Sequence, residues 1–383
     1  MPRPLPLADI RIIALEQYGA GPWGTFMLRQ LGADVIKVED ANSGAEVARH
    51  VPPATEGDSL FFQTLNRGKR SIALDLAVAD DREIFERLVV NADAIFSNFR
   101  GDVPAKLKIT YADLEHLNPR IVCCSLSAFG MAGPRTAQPG YDYIIQALTG
   151  WMDLTGEPGS PPQKTGLSVV DWSGGYAAAM SLLAGVHAAR RDGVGADCDV
   201  ALYDTAISML NYVGAWSLNG ALEAVRQPRS FHPTLVPFGN FPTADGWAVI
   251  GCAKEKFWQR LVDLFDIEEL RDERFADFGG RRQHRDEVIA GIDRITITMT
   301  TEQLVARLTT AGIPSAPVHT VAEALADEQT LARGLIHDVP TATGGTVKLL
   351  DGPLDVGSRR REPAASPVLD QDRQDLIDEI GWE

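Results

Sequence analysis

The chain has 383 residues, of which 45% are hydrophobic and 23% are charged, so it can bury cores in roughly two or three domains without disulfides. This composition excludes collagen, a coiled coil and a disordered protein. A formal net charge of −16 argues against broad binding to nucleic acid or to anionic membranes, because both need a positive field.

Residues 1–6 show no hydrophobic core of a signal peptide, and the uncharged run at residues 172–189 is shorter than the roughly 20 apolar residues of a membrane span. The four cysteines form no CxxC pair, and the seven histidines show no metal-ligand spacing. We therefore expect a soluble, cytoplasmic protein with reduced thiols, no metal site, and no nucleic-acid or membrane partner.

Strand and helix signals alternate along the first 130 residues. Apolar strand candidates lie at residues 10–15, 35–38, 71–76, 94–97 and 121–127, with helices predicted at 25–30 and near 80–91. Because strands that alternate with helices form parallel sheets covered by those helices, this order predicts an α/β fold.

The second half begins with loops and a long helix. Residues 130–163 are rich in Gly, Pro, Thr and Gln, which is typical of active-site loops. A buried, Ala-rich helix is predicted at 173–190. The later predictions are a strand at 198–203, a linker at 227–242, a strand at 247–252, helices at 257–264 and 301–309, and a short final helix.

Residues 19–24, Gly-Ala-Gly-Pro-Trp-Gly, match the GxGxxG fingerprint of dinucleotide-binding proteins. The segment follows a strand candidate, and Glu39 lies about 20 residues further on, as a ribose-binding acid would. The pattern is weak, because many strand-to-helix turns need glycine. Three interpretations stay open: an NAD site, a turn that holds another nucleotide, and a tight turn with close helix packing.

Basic residues lie near the ends of the predicted strands: Lys69 before one of them, and Arg100 and Lys106 after another. The strand ends at one edge of a parallel sheet line a crevice. In a protein this acidic, such residues could supply the charge that holds a polyanion, and solvated basic turns are the alternative.

Asp171 stands between the apolar residues 167–170 and the helix predicted from Ser173. The helix dipole stabilises an ionised carboxylate there by about 0.3–1 kcal/mol. Because Asp is also a favoured N-cap residue, the residues alone leave a cap and a functional carboxylate as alternatives.

Taken in order, these segments resemble the family III coenzyme A (CoA) transferases, the formyl-CoA transferase-like or CaiB/BaiF family. The resemblance covers most of the first 210 residues and, more weakly, residues 237–245 and 312–314. The segments that carry it are residues 19–22, 32–39, 66–76, 98–100, 118–120, 129–134, 166–175 and 190–204.

The resemblance implies a large Rossmann-like domain with a parallel sheet, formed by residues 1–215 and completed by 335–383, and a smaller α+β domain at 225–325. It also implies a homodimer of interlocked, ring-shaped chains, with Asp171 as the catalytic nucleophile. The residues that it implies for CoA binding are Gly19, Ala20, Leu74, Ala77, Asn98, Phe99, Arg100, Lys106 and Tyr141.

Two positions depart from the oxalate-using members of the family. Asp40 stands where those enzymes have a basic residue that binds CoA, and Pro139 stands where they have a lysine. The glycine-rich loop that covers the active site of formyl-CoA transferase has its nearest candidate here at residues 238–240. These departures argue against oxalate and formate as the substrates.

The expected reaction moves CoA from an acyl-CoA donor to a small carboxylic acid through a covalent aspartyl-CoA intermediate on Asp171, without a permanently bound cofactor. The alternatives are a 2-methylacyl-CoA racemase, an NAD-dependent oxidoreductase and a CoA-binding module without catalysis. Racemase relatives are expected to have a histidine before the aspartate of a Gly-x-Asp turn, where this chain has Tyr141 before Asp142.

Overall fold

The computed structural model describes residues 4–42, 45–55, 58–357 and 362–382. The chain divides into two compact units. Unit 1 comprises Met1–Thr149, Thr165–Ala215 and Thr330–Glu383, and unit 2 comprises Gly150–Lys164 and Trp216–Gln329.

Strands and helices alternate through most of the described chain. The strands are β1 (Arg11–Leu15), β2 (Asp34–Glu39), β3 (Ala54–Thr55), β4 (Asp58–Ser59), β5 (Arg70–Ala73), β6 (Ala94–Ser97), β7 (Val122–Ser127), β8 (Ala196–Ala201), β9 (Phe238–Pro242), β10 (Trp247–Gly251), β11 (Ser315–Pro317), β12 (Ile336–Pro340) and β13 (Thr346–Leu350). The α-helices are α1 (Ala20–Gln30), α2 (Leu60–Asn66), α3 (Ala79–Val90), α4 (Val103–Lys106), α5 (Tyr111–Leu114), α6 (Asp142–Leu148), α7 (Trp151–Leu154), α8 (Val169–Asp192), α9 (Leu202–Met209), α10 (Asn211–Leu218), α11 (Glu255–Phe265), α12 (Phe278–Gln283), α13 (Arg285–Thr296), α14 (Thr301–Thr310), α15 (Val321–Ala326), α16 (Glu328–Ala332) and α17 (Arg373–Ile380).

Six strands of unit 1 form a parallel sheet in the order β5-β2-β1-β6-β7-β8. Ile13 of β1 pairs with Ile36 of β2 on one side and with Ile95 of β6 on the other. This is the strand order of a doubly wound, Rossmann-type sheet, and it reverses between β1 and β6. Ligands of such sheets bind where the carboxyl ends of those two strands diverge. The predicted parallel α/β sheet is confirmed.

Helices cover the parallel sheet on both faces. Ile12, Ile13 and Ala14 in β1 are fully buried, as expected for a parallel strand that has helices on either side. On one face, Phe85 of α3 and Leu376 of α17 join the same apolar cluster as Ile13. The other face is covered by α1 and α8, which lie against each other. The sheet is therefore a rigid base from which the loops at its edge project.

Unit 2 is built on a three-stranded antiparallel sheet, β11-β10-β9. In α11, Trp258, Leu261, Val262 and Phe265 recur at the spacing of one helical face, and all four are buried in the apolar cluster of this unit. β9 lies at the end of the segment predicted as a linker. The sequence does not predict this strand, because its short alternation of buried residues stands among prolines. In unit 1, the hairpin of β12 and β13 was also not predicted.

Two negative findings apply to the described ranges. Within them, no helix is long and apolar enough to cross a membrane. The same ranges contain no group of three or more His, Cys, Asp or Glu residues that could hold a metal ion.

Candidate functional site

A pocket of about 700 Å³ opens in unit 1 at the carboxyl ends of β1 and β6, where the strand order reverses. The loop after β1 contributes Gln17 and Tyr18 to its wall, and the start of α6 contributes Asp142 and Tyr143. Of the residues that the sequence predicts for the site, Gly19, Ala20, Asn98, Phe99, Arg100, Tyr141 and Asp171 line this pocket.

Three residues predicted to bind CoA lie outside the lining of the pocket. Leu74 follows β5 and is buried in the apolar cluster beneath the sheet. Ala77 donates its backbone N–H to the carboxylate of Asp75, two residues earlier (2.9 Å). The third, Lys106, ends α4 with 65% of its side chain exposed. The pocket alone therefore provides no contact for these three residues.

Asp171 lies in the first turn of α8, not in front of it. The helix begins at Val169, four residues earlier than predicted, and Ser168 occupies the N-cap position. The interpretation of Asp171 as the N-cap is therefore wrong. Its side chain faces the pocket, and the residue is only 9% exposed. The first turn of a helix favours the ionised form of such a carboxylate.

The cap of α8 comes from a residue 28 positions earlier. The Asp142 carboxylate accepts the backbone N–H of Val170 (2.9 Å) and, more weakly, that of Asp171 (3.4 Å). Its other oxygen accepts from Gln146 (2.7 Å), which in turn bonds Thr165 (3.1 Å). Asp142 thus holds the turn that carries Asp171. The sequence could not show this, because the two aspartates meet only in the folded chain.

The glycine-rich segment forms the first turns of a helix. α1 begins at Ala20, and a Cβ atom on Gly24 would stand 2.7 Å from the carbonyl oxygen of Gly175 in α8. The glycines therefore let two helix backbones touch, which favours the close-packing interpretation. Glu39, the presumed ribose acid, is buried and binds the Arg49 guanidinium (2.6 Å). Glu39 is therefore not available to a ribose, which argues against the NAD interpretation.

The same glycine-rich segment brings backbone close to the Asp171 carboxylate. A Cβ atom on Gly19 would stand 3.5 Å from Asp171 Oδ2 and 3.7 Å from the Trp172 ring. The absence of a side chain at Gly19 therefore leaves space beside the carboxylate. This space belongs to the pocket, which Gly19 and Asp171 both line.

The basic residues predicted to hold phosphates fall into two groups. Lys69 is fully buried, and its Nζ donates to Glu16 Oε1 (2.6 Å), so the prediction that it binds phosphate is wrong. Burial lowers the pKa of Lys69 to about 8. Arg100 and Lys106 are exposed, and both contact the Asp102 carboxylate, whose pKa they lower, Lys106 through a hydrogen bond and Arg100 by its charge. These two cations are open to an anion.

Comparison with known proteins gives one consistent result. The family model described as CoA-transferase family III matches residues 7–373. The succinate–glutarate CoA-transferase of Agrobacterium fabrum is 33% identical, over 98% of this chain and 96% of that protein. The succinyl-CoA:mesaconate CoA-transferase of Haloarcula hispanica is 34% identical, over the same shares of the two chains.

Solved structures agree with these relatives. A CAIB/BAIF family protein from Brucella suis has a TM-score of 0.84 and 32% identity, covering 99% of this chain and all of its own. The Rv3272 protein of Mycobacterium tuberculosis has a TM-score of 0.86 and 28% identity, covering 98% of this chain and all of its own. The predicted resemblance is confirmed: the chain belongs to CoA-transferase family III and is a CoA-transferase.

Proposed function

We propose that this enzyme moves CoA from an acyl-CoA donor to a carboxylic acid through an aspartyl-CoA thioester on Asp171, and that unit 1 is its CoA-binding domain. One observation carries the proposal. The Asp171 carboxylate faces the pocket at the reversal of strand order, beside the open space at Gly19. No permanently bound cofactor is needed for this reaction.

The chemistry is two acyl transfers, each made of two steps. The Asp171 carboxylate attacks the thioester carbonyl, the C–S bond breaks, and a mixed anhydride and the CoA thiolate result. The thiolate then attacks the Asp171 carbonyl carbon, which releases the donor acid and leaves aspartyl-CoA. The acceptor carboxylate reverses both steps and restores Asp171. The energy of the thioester is conserved throughout, and no net proton is taken up.

Two features of the fold support this role of Asp171. The reaction needs an ionised carboxylate, and the first turn of α8 favours that form. The reaction also needs the carboxylate to keep its position while two different acyl groups react with it in turn. Asp142 fixes the backbone of the turn that contains Asp171.

The relatives suggest the class of acid. Their names refer to succinate and glutarate, to mesaconate, to D-citramalate and to oxalate, which are all dicarboxylic acids. We therefore propose a dicarboxylic acid on at least one side of the exchange. A screen of acyl-CoA donors against mono- and dicarboxylic acids, followed by mass spectrometry, tests this. Equal rates with matched monocarboxylic acids would contradict it.

Exposed apolar side chains support a homodimer. In unit 1, Tyr143 of α6 is 64% exposed, Met180 of α8 is 69% exposed and Tyr212 of α10 is 49% exposed. Exposed apolar side chains of this size are candidates for burial in a protein interface. We propose that a second copy covers them, in the interlocked arrangement that the family resemblance implies. Light scattering at micromolar concentration should give twice the chain mass of 41.5 kDa.

The pocket does not support racemisation. Its described lining contains no histidine, and Tyr141 stands where racemase relatives are expected to have one. A phenol is a poorer general base than an imidazole at neutral pH. In heavy water, a 2-methylacyl-CoA should keep its α-proton while CoA passes to an added acid. Rapid deuterium incorporation without an acceptor would favour the racemase.

The direct test of the proposed function is Asp171→Ala. We expect transfer to fall by at least about 10³-fold, because the nucleophile is lost, with CoA affinity retained in calorimetry. The matched control is Asp375→Ala, which removes an exposed first-turn carboxylate from another helix, α17. Near-normal turnover in the Asp171 variant would remove that residue from the mechanism.

A further inference from the structure

The wall of the pocket beside Asp171 is a short segment of unusual backbone. Residues 16–19 join β1 to α1, and Gln17, Tyr18 and Gly19 all line the pocket. Tyr18 has a φ of +65°, in the left-handed region that residues other than glycine rarely adopt. Such a conformation persists only where the surroundings impose it. The question is which groups do so here.

Two buried side chains hold the backbone of this segment at Glu16 and at Tyr18. Lys37 Nζ, from β2, donates to the backbone carbonyl of Glu16 (2.8 Å). Glu46 Oε1 accepts the backbone N–H of Tyr18 (2.6 Å). Lys37 and Glu46 also form an ion pair with each other (2.5 Å). One pair of side chains thus fixes both ends of the peptide that enters the pocket wall.

The middle of the segment is held from the neighbouring strand. Asn98, which follows β6, accepts the backbone N–H of Gln17 (2.8 Å) and donates to its carbonyl (2.7 Å). Asn98 itself lines the pocket, so its contribution to binding and to support cannot be separated by mutation. Lys37 and Glu46, by contrast, are not among the lining residues, and a test of support alone is possible with them.

The ion pair is too deeply buried to be a surface feature. The Lys37 side chain is 0% exposed and that of Glu46 is 2% exposed. Burial alone would lower the pKa of Lys37, but the negative charges of Glu46, Glu16 and Glu39 outweigh it and raise that pKa. Well-packed apolar side chains are often as stabilising as a buried ion pair. The pair therefore needs another reason, and its hydrogen bonds to the pocket wall provide one.

We propose that Lys37 and Glu46 are positioning residues for CoA transfer: they hold the backbone of residues 16–18 so that Gly19 leaves the approach to Asp171 open. The inference rests on the proposed function, since it takes the reaction to occur at Asp171. It requires that loss of either hydrogen bond slows turnover even where the protein remains folded and stable.

The first test separates the charge of Glu46 from its hydrogen bond. Glu46→Gln and Glu46→Ala both remove the charge, but only Gln keeps an oxygen that can accept the N–H of Tyr18. We expect Glu46→Gln to keep kcat within about threefold of the wild type. In Glu46→Ala, kcat should fall about 10- to 100-fold, because small displacements at a reaction centre have effects of that size. Equal kcat values in the two variants would overturn the proposal.

The second test separates stability from turnover. Lys37→Met leaves Glu46 buried without its cation, which lowers the unfolding midpoint, and adding Glu46→Gln removes that unpaired charge. The double variant should therefore recover most of the midpoint but not kcat, since Glu16 still lacks its donor. A double variant with both stability and kcat restored would show that the pair serves folding alone.

A control pair lies in the same unit. Arg67, which is buried, pairs with the partly buried Asp351 (3.1 Å), and neither side chain bonds residues 16–19. Arg67→Met should lower the unfolding midpoint and leave kcat of the folded protein within about twofold. Failure of the proposed function would show as transfer that survives Asp171→Ala. Failure of the positioning role would show as normal kcat in the Glu46→Ala and double variants while Asp171→Ala is inactive.

Discussion

The two sides of the pocket differ in where their charges lie. Beneath the β1 side, Lys37, Glu46 and Lys69 are buried and bonded to other side chains and backbone of unit 1. Beyond the β6 side, Arg100 and Lys106 are 44% and 65% exposed. Both sides have basic residues close to strand ends, yet only the cations on the β6 side are exposed to a ligand. Burial decides whether such a lysine shapes the pocket wall or offers its charge to an anion.

The physical reason is desolvation. A buried charge has lost its water and depends on a partner in fixed geometry, so its removal is costly and its contribution is structural. An exposed charge keeps its water and adds little to stability, so it can exchange a carboxylate partner for a phosphate. The comparison predicts that equal substitutions on the two sides will have opposite profiles: stability on the β1 side, and ligand affinity on the β6 side.

The largest expected effect is on the buried side. Lys69→Met should lower the free energy of unfolding by about 3–5 kcal/mol, because Glu16 is left buried without its cation. Lys106→Met should change it by no more than about 0.5 kcal/mol. Urea unfolding of both variants measures the difference. Similar losses of unfolding free energy in the two variants would contradict the proposed difference between the two sides of the pocket.

The glycine contact between α1 and α8 gives the next effect. Gly24→Ala should lower the free energy of unfolding by about 1–3 kcal/mol, because its Cβ would stand 2.7 Å from the Gly175 carbonyl oxygen. Gly166→Ala is the control, since a Cβ there meets no atom within 4 Å.

In calorimetry, the wild type should bind CoA and not NAD. Tight NAD binding without CoA binding would support an NAD site at residues 19–24 instead.

The pH dependence of stability sharpens the comparison, because it reports the buried lysine directly. Burial lowers the pKa of Lys69 to about 8 from an ordinary 10.5, with Glu16, Glu46 and Lys37 facing it. Between these values the unfolded chain keeps a proton that the folded protein has released, so this group adds stability as pH rises.

The corresponding measurement compares the wild type with Lys69→Met. From pH 8 to about pH 9.5, the wild-type free energy of unfolding should rise by about 1–2 kcal/mol relative to the variant. Unfolding of the two proteins by urea at both pH values gives this difference. If the wild type and the variant differ in unfolding free energy by the same amount at both pH values, Lys69 keeps its proton across the whole interval.

The smallest expected effect is on the exposed side. Arg100→Met should raise the KM for an acyl-CoA donor about fivefold to tenfold, roughly 1 kcal/mol, by removing a cation from the pocket wall. Added salt should shrink the difference, because it screens exposed charges. Arg87→Met, which removes an equally exposed cation paired to Glu83 in α3, should leave KM unchanged. An equal rise in both variants would exclude a local role for Arg100.

The sequence was sufficient for the features that depend on local patterns. β6 lies where it was predicted, at residues 94–97, because a parallel strand buried on both faces is a continuous apolar run. α1 and α8 both begin earlier than predicted. In α1, Gly21 and Gly24 discourage a helix prediction locally, but Gly24 permits the close contact with Gly175 of α8.

Features that depend on tertiary contacts were out of reach. The capping of α8 by Asp142 spans 28 residues. Nothing in the sequence near Lys69 distinguishes it from Lys106, although one is fully buried and the other is largely exposed. The resemblance located the pocket well, since residues 98–100 and Asp171 meet there, but it could not show which groups support it.

The central claim is that CoA becomes attached to Asp171 during transfer. The direct measurement is mass spectrometry of the enzyme mixed with an acyl-CoA donor alone, digested after treatment with hydroxylamine or borohydride. The peptide containing Asp171 should carry the trapped modification, and neither the Asp171→Ala variant nor the enzyme without donor should show it. Modification of a different residue, or none at all while transfer to an acceptor acid proceeds at full rate, would contradict it.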